Sequence, residues 1–380
     1  MTTAPLWLCP DRVFDGTLRD GMALRCENGL ITDLRPTDQV PPGAARQRIA
    51  GLVTPGFVDL QVNGGGGVLL NTSPSAEAMR AMAAAHRGFG TVGILPTVIT
   101  DAPEVLAQAV DAAVATQRET GILGLHIEGP HISLARRGTH AAQFVRPFDA
   151  VTRFHVARLR AAGIAVMITL APEAVLPGQV ADLVALGAVV SIGHSDATAD
   201  EVRALLDEGA SCFTHLFNAM SPMLNRAPGV TGACINSTAP AGIICDGVHV
   251  ADEMVALAIR ARPLPDTTFL VSDAMATVGG SDRFLLYGQE IRLVNGRLVN
   301  GEGSLAGAHV TMAQSLARLV RVVGIAPETA LRMAVTTPAR VIGQRDLAGI
   351  EGRRVSDLLV LDADWQVTGG LDRFVTAGVA

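Results

Sequence analysis

The middle of the chain alternates short apolar segments with amphipathic ones, and this alternation restricts the fold more than any other feature. The apolar segments have the length of strands and occupy residues 52–62, 91–97, 122–128, 165–170, 189–194, 212–217, 241–245 and 268–272. The segments with helical spacing between them occupy residues 76–89, 103–120, 151–162, 178–186, 200–208 and 252–262. Eight strands joined by helical crossovers predict an α/β fold of the (β/α)8 TIM-like barrel type. A doubly wound open sheet is the alternative.

The two ends of the chain lack this alternation and read as β structure. In the first 50 residues, Asn28-Gly29 marks a hairpin. The segment from about Gly349 likewise consists of short strand-like runs separated by turns. We therefore expect a second, small β-sandwich domain formed by residues 1–53 and 346–380, beside a barrel domain of residues 54–345. Asn295-Gly296 predicts an inserted hairpin after the eighth strand. Helices at residues 311–322 and 327–335 are expected to close the barrel.

Four apolar segments end in residues that can bind a metal or transfer a proton. Glu128, His194, His215 and Asp273 lie at the ends of the third, fifth, sixth and eighth segments. Each has a plain structural explanation when taken alone, such as an ion pair between Glu128 and an arginine. In a barrel, however, all four meet at one mouth. Two neutral imidazoles and a carboxylate form a zinc-type hydrolytic site, and Asp273 suits general base and general acid catalysis.

The other histidines have a weaker claim to a function. His86 and His155 fall in helical segments, and we interpret them as surface residues. His126 is expected in the barrel interior or behind the metal ligands. The interval after Phe217 is rich in Pro and Asn and is interpreted as a functional loop rather than a plain helix.

Composition excludes several classes of function. The sequence contains no lysine, so all 30 basic residues are arginine, which excludes Schiff-base chemistry and Walker-type nucleotide binding. The net charge of −6 and the absence of a basic run argue against nucleic acid as a partner. No membrane span or signal peptide is expected. Five scattered cysteines without a CxxC spacing indicate reduced thiols, so a cytoplasmic location is expected.

With these residues identified, seven segments resemble those of the amidohydrolase superfamily and, within it, the N-acetylglucosamine-6-phosphate deacetylases. The resemblance extends over nearly the whole chain, and its motifs are specific only in combination. They are Pro-Gly-Phe-Val-Asp-Leu-Gln-Val-Asn-Gly at 55–64, His-Ile-Glu-Gly-Pro at 126–130, Gly-Thr-His at 138–140, Gly-His-Ser at 193–195, Thr-His-Leu-Phe-Asn-Ala-Met at 214–220, Asp-Gly-Val-His at 246–249 and Val-Ser-Asp at 271–273. The family's activity is metal-dependent removal of the acetyl group from N-acetyl-D-glucosamine 6-phosphate, in amino-sugar metabolism.

The resemblance also implies a role for each matching residue. Glu128, His194 and His215 match the metal ligands, and Asp273 matches the catalytic acid and base. His140 matches the residue that polarises the acetamide carbonyl. The residues that match the substrate pocket are Asn218, Ala219, Arg226, His249, His140, Leu305, Ala306 and Gly307.

The family further implies a homodimer in which Arg226 reaches the partner's site, where a planar guanidinium suits a phosphate. It also implies one divalent metal, which we expect to be Zn²⁺, although Fe²⁺ and Co²⁺ suit similar ligands. Many superfamily members carry His-x-His in the first strand for a second metal, whereas this chain has Asp59-x-Gln61. A similar glutamine occurs in a single-metal branch. Gln61 is therefore expected near the metal, bound weakly or through water.

Three other functions remain open from the sequence. The substrate could instead be N-acetylgalactosamine 6-phosphate or another N-acyl sugar. A non-catalytic barrel scaffold would be expected to have lost the metal ligands, and here all are present. A sugar-phosphate isomerase on a barrel is disfavoured by the zinc-type residues and the missing lysine.

Overall fold

The computed structural model describes residues 5–301, 303 and 305–375. The strands in these residues are β1 (Leu6–Phe14), β2 (Leu18–Asp20), β3 (Met22–Glu27), β4 (Leu30–Pro36), β5 (Arg46–Pro55), β6 (Phe57–Val62), β7 (Gly64–Gly65), β8 (Val68–Leu69), β9 (Thr91–Ile99), β10 (Gly124–Glu128), β11 (Ala165–Leu170), β12 (Val189–Ile192), β13 (Cys212–Phe213), β14 (Ala241–Ile243), β15 (Thr268–Leu270), β16 (Arg283–Leu286), β17 (Gln289–Val294), β18 (Arg297–Val299), β19 (Leu358–Leu361) and β20 (Val367–Gly370). The α-helices are α1 (Ala76–Gly88), α2 (Pro103–Ala115), α3 (Ala150–Ala161), α4 (Gln179–Ala185), α5 (Ala199–Asp207), α6 (Gly229–Asn236), α7 (Asp252–Ala261), α8 (Met312–Arg321), α9 (Pro327–Leu331) and α10 (Thr337–Val341).

Eight strands form the predicted barrel. Their order is β15-β14-β13-β12-β11-β10-β9-β6, and every neighbouring pair is parallel. Hydrogen bonds at the strand ends bring the first and last strands together: the Asp273 N–H donates to the Gln61 carbonyl at 3.0 Å, and the Asn63 N–H donates to the Ala274 carbonyl at 2.9 Å. The sheet therefore curls back on itself, and the doubly wound alternative is wrong.

The two ends of the chain share a second sheet, as predicted. Its order is β20-β19-β5-β1-β3-β4, with β2 paired to β1. The C-terminal strand β19 pairs antiparallel with β5, so this sheet joins segments about 300 residues apart in sequence. It packs around its own hydrophobic cluster, which includes Leu8, Leu24 and Ile31. We propose the domain division of 1–53 with 346–380 and of 54–345 on this basis.

The first predicted strand, residues 52–62, is two strands. It divides at Gly56, where β5 of the small sheet ends and β6 of the barrel begins. A Cβ added at Gly56 would lie 2.1 Å from Cγ1 of Val92, so the chain crosses from one sheet to the other in close contact with the second barrel strand. An apolar run alone cannot reveal such a division, because both halves are buried.

The predicted hairpins are present. Glu27 pairs with Leu30 around Asn28-Gly29, and Val294 pairs with Arg297 around Asn295-Gly296. All four turn residues have positive φ, as the tight hairpin turn requires. The second hairpin belongs to an inserted three-stranded sheet, β16-β17-β18.

Several helices differ from the prediction. The segment 103–120 is helical only to Ala115, because the chain turns at Arg118, where φ is +68°. The segment after Phe217 is irregular to Pro228, but the unpredicted helix α6 follows it. A π-helical turn, Arg332–Thr336, joins α9 to α10.

Two histidines expected on the surface are buried. His86 is fully buried in α1, and its Nε2 lies 2.9 Å from the carbonyl oxygen of Gly64. His155 in α3 is also buried. Both lie on the helix face that packs inward, so helical spacing should have placed them with the core. Among the described residues, no helix is long and apolar enough to cross a membrane.

Candidate metal and catalytic site

Three side chains converge on one point at the C-terminal end of the barrel. Oε1 of Glu128 lies 3.2 Å from Nε2 of His194 and 3.0 Å from Nε2 of His215, and the two nitrogens are 3.0 Å apart. Nδ1 of His194 lies 2.9 Å from the carbonyl oxygen of Arg136, which can only accept, so a neutral His194 keeps its Nε2 lone pair free. Three buried electron-pair donors facing one point fit a metal ion.

The backbone at the strand ends turns these side chains into the barrel mouth. Glu128 is the last residue of β10, and His194, His215 and Asp273 follow β12, β13 and β15. The last three have positive φ values of 49°, 29° and 51°. Such a backbone is unfavourable for residues other than glycine, and it clusters at functional sites. The positive φ values of His194 and His215 also end β12 and β13 before the histidines, so the predicted strands 189–194 and 212–217 are too long.

The charges of the cluster suit a metal ligand set. Burial would raise the pKa of Glu128, but the neighbouring His194 and His215 hold it well below its ordinary value. Glu128 is therefore a carboxylate at neutral pH. A buried carboxylate needs a partner of opposite charge or several hydrogen bonds, and this position offers both imidazoles and an amide.

Residues of β6 and the turn after it donate hydrogen bonds to the carboxylates of Glu128 and Asp273. Nε2 of Gln61 donates to both oxygens of Glu128, at 3.0 and 3.1 Å, and to Oδ1 of Asp273 at 3.2 Å. Nδ2 of Asn63 donates to the same Oδ1 at 2.6 Å. Asp59 accepts from the Ser272 N–H at 3.2 Å and so ties β6 to the chain after β15. The role of Gln61 as a weak ligand stays a prediction.

Asp273 has an environment suited to proton transfer. Burial, followed by the negative charge of Glu128, raises the pKa of Asp273 to about 6. A group that titrates near neutral pH can both take up and release a proton during a reaction. The two amide donors, Gln61 and Asn63, occupy Oδ1 and leave Oδ2 for this exchange.

His140 lies beside the three residues that could hold a metal ion. Its ring centroid is 4.3 Å from that of His194, and its Nδ1 lies 2.7 Å from the hydroxyl of Thr100. Burial, followed by the charge of His194, lowers the pKa of His140 well below its ordinary value. His140 is therefore a neutral imidazole with one N–H at neutral pH.

A cavity of about 170 Å³ brings most of the predicted site residues together. It is lined by Asn63, Ile99, Glu128, Gly138, Thr139, His140, His194, His215, Asn218, Ala219, His249, Asp273, Met275, Leu305 and Gly307. Ala306 is buried behind this wall, and its N–H donates to the Leu298 carbonyl. Arg226 does not line the cavity and lies on an exposed loop of residues 222–228.

A larger cleft of about 770 Å³ lies at the opposite end of the barrel. Its lining includes residues 121–124 and 161–164, which precede or begin β10 and β11. None of the predicted site residues lines it. The predicted site residues that line a cavity therefore all line the smaller one.

His249 is held in place by Asp246, a residue without an assigned role in the sequence analysis. Nδ1 of His249 lies 2.7 Å from Oδ2 of Asp246, and the N–H groups of Val248 and His249 donate to Oδ1. Although burial raises it, the hydrogen bonds from His249 hold the pKa of Asp246 below its ordinary value. This arrangement leaves Nε2 of His249 available to the cavity.

Two further residues were missed, and both left a signal in the sequence. Asn63 continues the i, i+2 alternation of Asp59 and Gln61, so it was the next candidate on the same strand face. Thr100 directly follows the strand β9, at the same rim as Glu128 and Asp273. A threonine at a strand end is too common to single out without its partner.

Similarity to known proteins shows the family of the chain. Residues 52–378 match the Amidohydrolase family. The N-acetylgalactosamine-6-phosphate deacetylase of Shewanella sp. (strain ANA-3) is 37% identical over 93% of this chain and 90% of its own length. The N-acetylglucosamine-6-phosphate deacetylase of Haemophilus influenzae is 34% identical over 83% of this chain and 84% of its own.

Solved structures of relatives superpose over almost the whole chain. The N-acetylglucosamine-6-phosphate deacetylase of Pasteurella multocida has a TM-score of 0.87 at 34% identity, covering 96% of this chain and 97% of its own. A mutant Mycobacterium smegmatis enzyme in complex with N-acetyl-D-glucosamine-6-phosphate has a TM-score of 0.86 at 32% identity, with the same coverage. The chain is therefore a hydrolase of the amidohydrolase family and groups with the N-acetylglucosamine-6-phosphate deacetylases.

Proposed function

We propose that this protein hydrolyses the acetamide of N-acetyl-D-glucosamine 6-phosphate and releases acetate and D-glucosamine 6-phosphate, in amino-sugar metabolism. One observation carries the proposal: Glu128, His194, His215 and Asp273 line a single cavity. The group of relatives to which the chain belongs supports the choice of substrate. The five cysteines of this chain are all free, which supports a location in a reducing compartment such as the cytoplasm.

The residues at the barrel mouth fit one divalent cation. Glu128, His194 and His215 would hold it, and Zn²⁺ suits two imidazoles and a carboxylate, with Fe²⁺ and Co²⁺ as alternatives. When bound there, the cation supplies Lewis-acid chemistry that polarises an amide carbonyl and acidifies water. Gln61 orients Glu128 through its amide, and we propose that any contact between Gln61 and the cation is weak or mediated by water.

The proposed reaction depends on proton transfer by Asp273. As a carboxylate it takes a proton from the attacking water, and the carbon of the acetamide then becomes tetrahedral. Asp273 next returns the proton to the nitrogen, so the C–N bond breaks and the amine leaves. His140 donates a hydrogen bond to the carbonyl oxygen, which carries the developing negative charge. Gln61 and Asn63 keep the Asp273 carboxylate in one orientation throughout.

The remaining wall of the cavity is proposed to bind the sugar phosphate. Asn218, Ala219, His249 and the segment 305–307 would contact the sugar ring and its substituents. Ala219 has a φ of +51°, which turns its backbone out of the helical or extended course at the cavity. Leu305 is half exposed at the entrance and supplies an apolar surface there.

The substrate assay is the first test of the proposal. The metal-replete protein should release acetate from N-acetylglucosamine 6-phosphate with a kcat/KM roughly 10–100-fold above that for the unphosphorylated sugar, because a charged hydrogen bond contributes roughly 1.5–3 kcal/mol. Equal activity on both would remove the phosphate pocket but keep the metal hydrolase. No acetate release from either sugar would contradict the proposed function.

The C4 epimer is a second candidate substrate. It is favoured by a specific observation: the relative with 37% identity is an N-acetylgalactosamine-6-phosphate deacetylase. The two 6-phosphates differ only in the orientation of one hydroxyl group. The same assay with N-acetylgalactosamine 6-phosphate separates them by the ratio of kcat/KM values.

Arg226 is proposed to bind the phosphate of a substrate held by the partner subunit of a homodimer. Its exposed loop and its absence from the cavity of its own chain support this arrangement. Arg226→Ala should raise KM for the phosphorylated sugar by roughly 10–100-fold. Activity on the unphosphorylated sugar should not change. Arg118→Ala, at the opposite end of the barrel, is the matched control.

Mixed dimers test the origin of Arg226 directly. A dimer of one Arg226→Ala subunit and one Asp273→Asn subunit has one site with Asp273 from the first subunit and Arg226 from the second. If Arg226 acts across the interface, mixing should restore acetate release at substrate concentrations well below the raised KM of Arg226→Ala, where neither variant alone has appreciable activity. Absence of restoration after verified subunit exchange would place Arg226 in its own subunit's site or outside any site.

A further inference from the structure

A threonine hydroxyl contacts one ring nitrogen of His140, a residue that lines the cavity. Thr100 is 1% exposed, directly follows β9, and its Oγ1 lies 2.7 Å from Nδ1 of His140. Among the described residues, the only other acceptor near this hydroxyl is the Glu128 carbonyl oxygen, 3.5 Å away. A separation of 3.5 Å is at the limit of a hydrogen bond, so the single hydroxyl proton goes to Nδ1.

This contact decides which nitrogen of His140 carries the proton. A neutral imidazole has one N–H, and a nitrogen that accepts a hydrogen bond is the one without it. With Nδ1 accepting from Thr100, the proton lies on Nε2. Only that tautomer can donate a hydrogen bond from Nε2 to a carbonyl oxygen in the cavity. The opposite tautomer would present a lone pair to the carbonyl and repel it.

The sole tyrosine of the chain holds the same two segments together. Tyr287 lies in the turn between β16 and β17 of the inserted sheet, and its hydroxyl donates to the carbonyl oxygen of Thr100. The hydroxyl oxygen of Tyr287 in turn accepts a hydrogen bond from the backbone N–H of Ala141, the residue after His140. Tyr287 therefore bridges the backbone of the Thr100 segment and that of the His140 loop.

We propose that Thr100 and Tyr287 are positioning residues for His140: Thr100 selects the tautomer with the proton on Nε2, and Tyr287 keeps the His140 loop in register with Thr100. The proposal deepens the proposed function and rests on it, because it assumes that His140 donates to the substrate carbonyl. It also gives the inserted sheet a role, since that sheet supplies Tyr287 to the edge of the active site.

Conservative variants of Thr100 test the effect on the reaction. Thr100→Val removes the hydroxyl but keeps the shape, and kcat should fall by roughly 10–100-fold, the usual effect of losing a residue behind a functional side chain. KM and the metal content should change little, because the substitution alters neither the residues proposed to contact the sugar nor the side chains proposed to bind the metal. Thr100→Ser keeps the hydroxyl and should restore most of kcat. Tyr287→Phe should lower kcat without preventing metal binding.

The matched control is Thr116→Val. Thr116 is also fully buried, but its hydroxyl donates to the Ala112 carbonyl at the end of α2, away from the cavity. It should leave kcat unchanged. A Thr100→Val enzyme with wild-type kcat, or a Thr100→Ser enzyme as impaired as Thr100→Val, would overturn the role of Thr100.

A measurement on the unmodified protein keeps the proposal independent of folding defects and of the substrate. Nitrogen-15 NMR of the Zn²⁺-loaded enzyme distinguishes protonated from unprotonated ring nitrogens, and the His140 signals are those missing from His140→Gln. We expect Nε2 to be protonated and Nδ1 to be unprotonated. The reverse would overturn the proposal even if the enzyme is an active deacetylase, whereas an inactive enzyme with the expected tautomer would overturn only the proposed function.

Discussion

Asp273→Asn is expected to lower kcat for acetate release by roughly 10²–10⁴-fold, the range that a general acid or base contributes. The amide cannot take the proton from water or return it to the leaving nitrogen. Its geometry, however, is preserved: the asparagine oxygen can still accept from Asn63 and Gln61, which now contact Oδ1 of Asp273. Metal content, measured by elemental analysis, and the thermal midpoint should therefore stay near those of the unmodified enzyme.

The matched control is Asp182→Asn, which makes the same chemical change at an exposed ion pair with Arg153. It should leave kcat unchanged, because exposed ion pairs contribute little and this one is outside the cavity. An Asp273→Asn enzyme with near-normal kcat would show that another group transfers the proton. A variant that loses both metal and activity would show that Asp273 contributes to the metal site instead.

Glu128→Gln is expected to remove both metal and activity. Glu128 is the only carboxylate among the three converging ligands, and its replacement leaves two neutral imidazoles for a divalent cation. Gln61 donates to both oxygens of Glu128, so a glutamine at position 128 would place its own amide N–H group opposite that of Gln61, and the two donors would repel each other. The loss in metal affinity should exceed the roughly 10–100-fold caused by removing residues behind the ligands.

The measurement is metal per chain after dialysis, beside kcat/KM at a fixed excess of Zn²⁺. Glu119→Gln is the control, since Glu119 lies at the far cleft and pairs with Arg80. A Glu128→Gln enzyme that retains one metal per chain and normal activity would contradict the assignment of Glu128 as a ligand. Activity recovered only at high Zn²⁺ would instead support it, as the sign of weakened binding.

The pattern of apolar segments predicted the fold because it reports burial directly. Strands such as Ala165–Leu170 are buried along almost their whole length, and the prediction matched both ends of this one. The same signal could not reveal that residues 52–62 belong to two sheets, because buried strands of both sheets have the same apolar sequence pattern. It also missed α6, whose two glycines and β-branched residues are poor helix formers; the helix is held by burial of seven of its eight residues.

The positions of residues at the ends of parallel strands predicted which side chains meet at the barrel mouth. Glu128, His194, His215 and Asp273 could be identified because parallel strands bring their C-terminal ends to one edge. The backbone conformation that orients these side chains could not be predicted. Nothing in the segments Gly-His-Ser and Thr-His-Leu indicates that both histidines have a left-handed φ. Asn63 could have been found from its place on the strand face of Asp59 and Gln61, whereas the roles of Thr100 and Asp246 depend on contacts with His140 and His249 that no sequence pattern gives.

The sequence by itself determined the class of fold, the joining of the two chain ends and the identity of the proposed ligands. These follow from periodicity and residue type, which act locally and can be counted along the chain. Only the tertiary structure decided which nitrogen of His140 faces Thr100, that Gln61 donates to both carboxylates, and that Arg226 lies outside its own cavity. The physical reason is that hydrogen bonds and charges depend on ångström-scale distances between residues far apart in sequence, and packing of the whole barrel sets those distances.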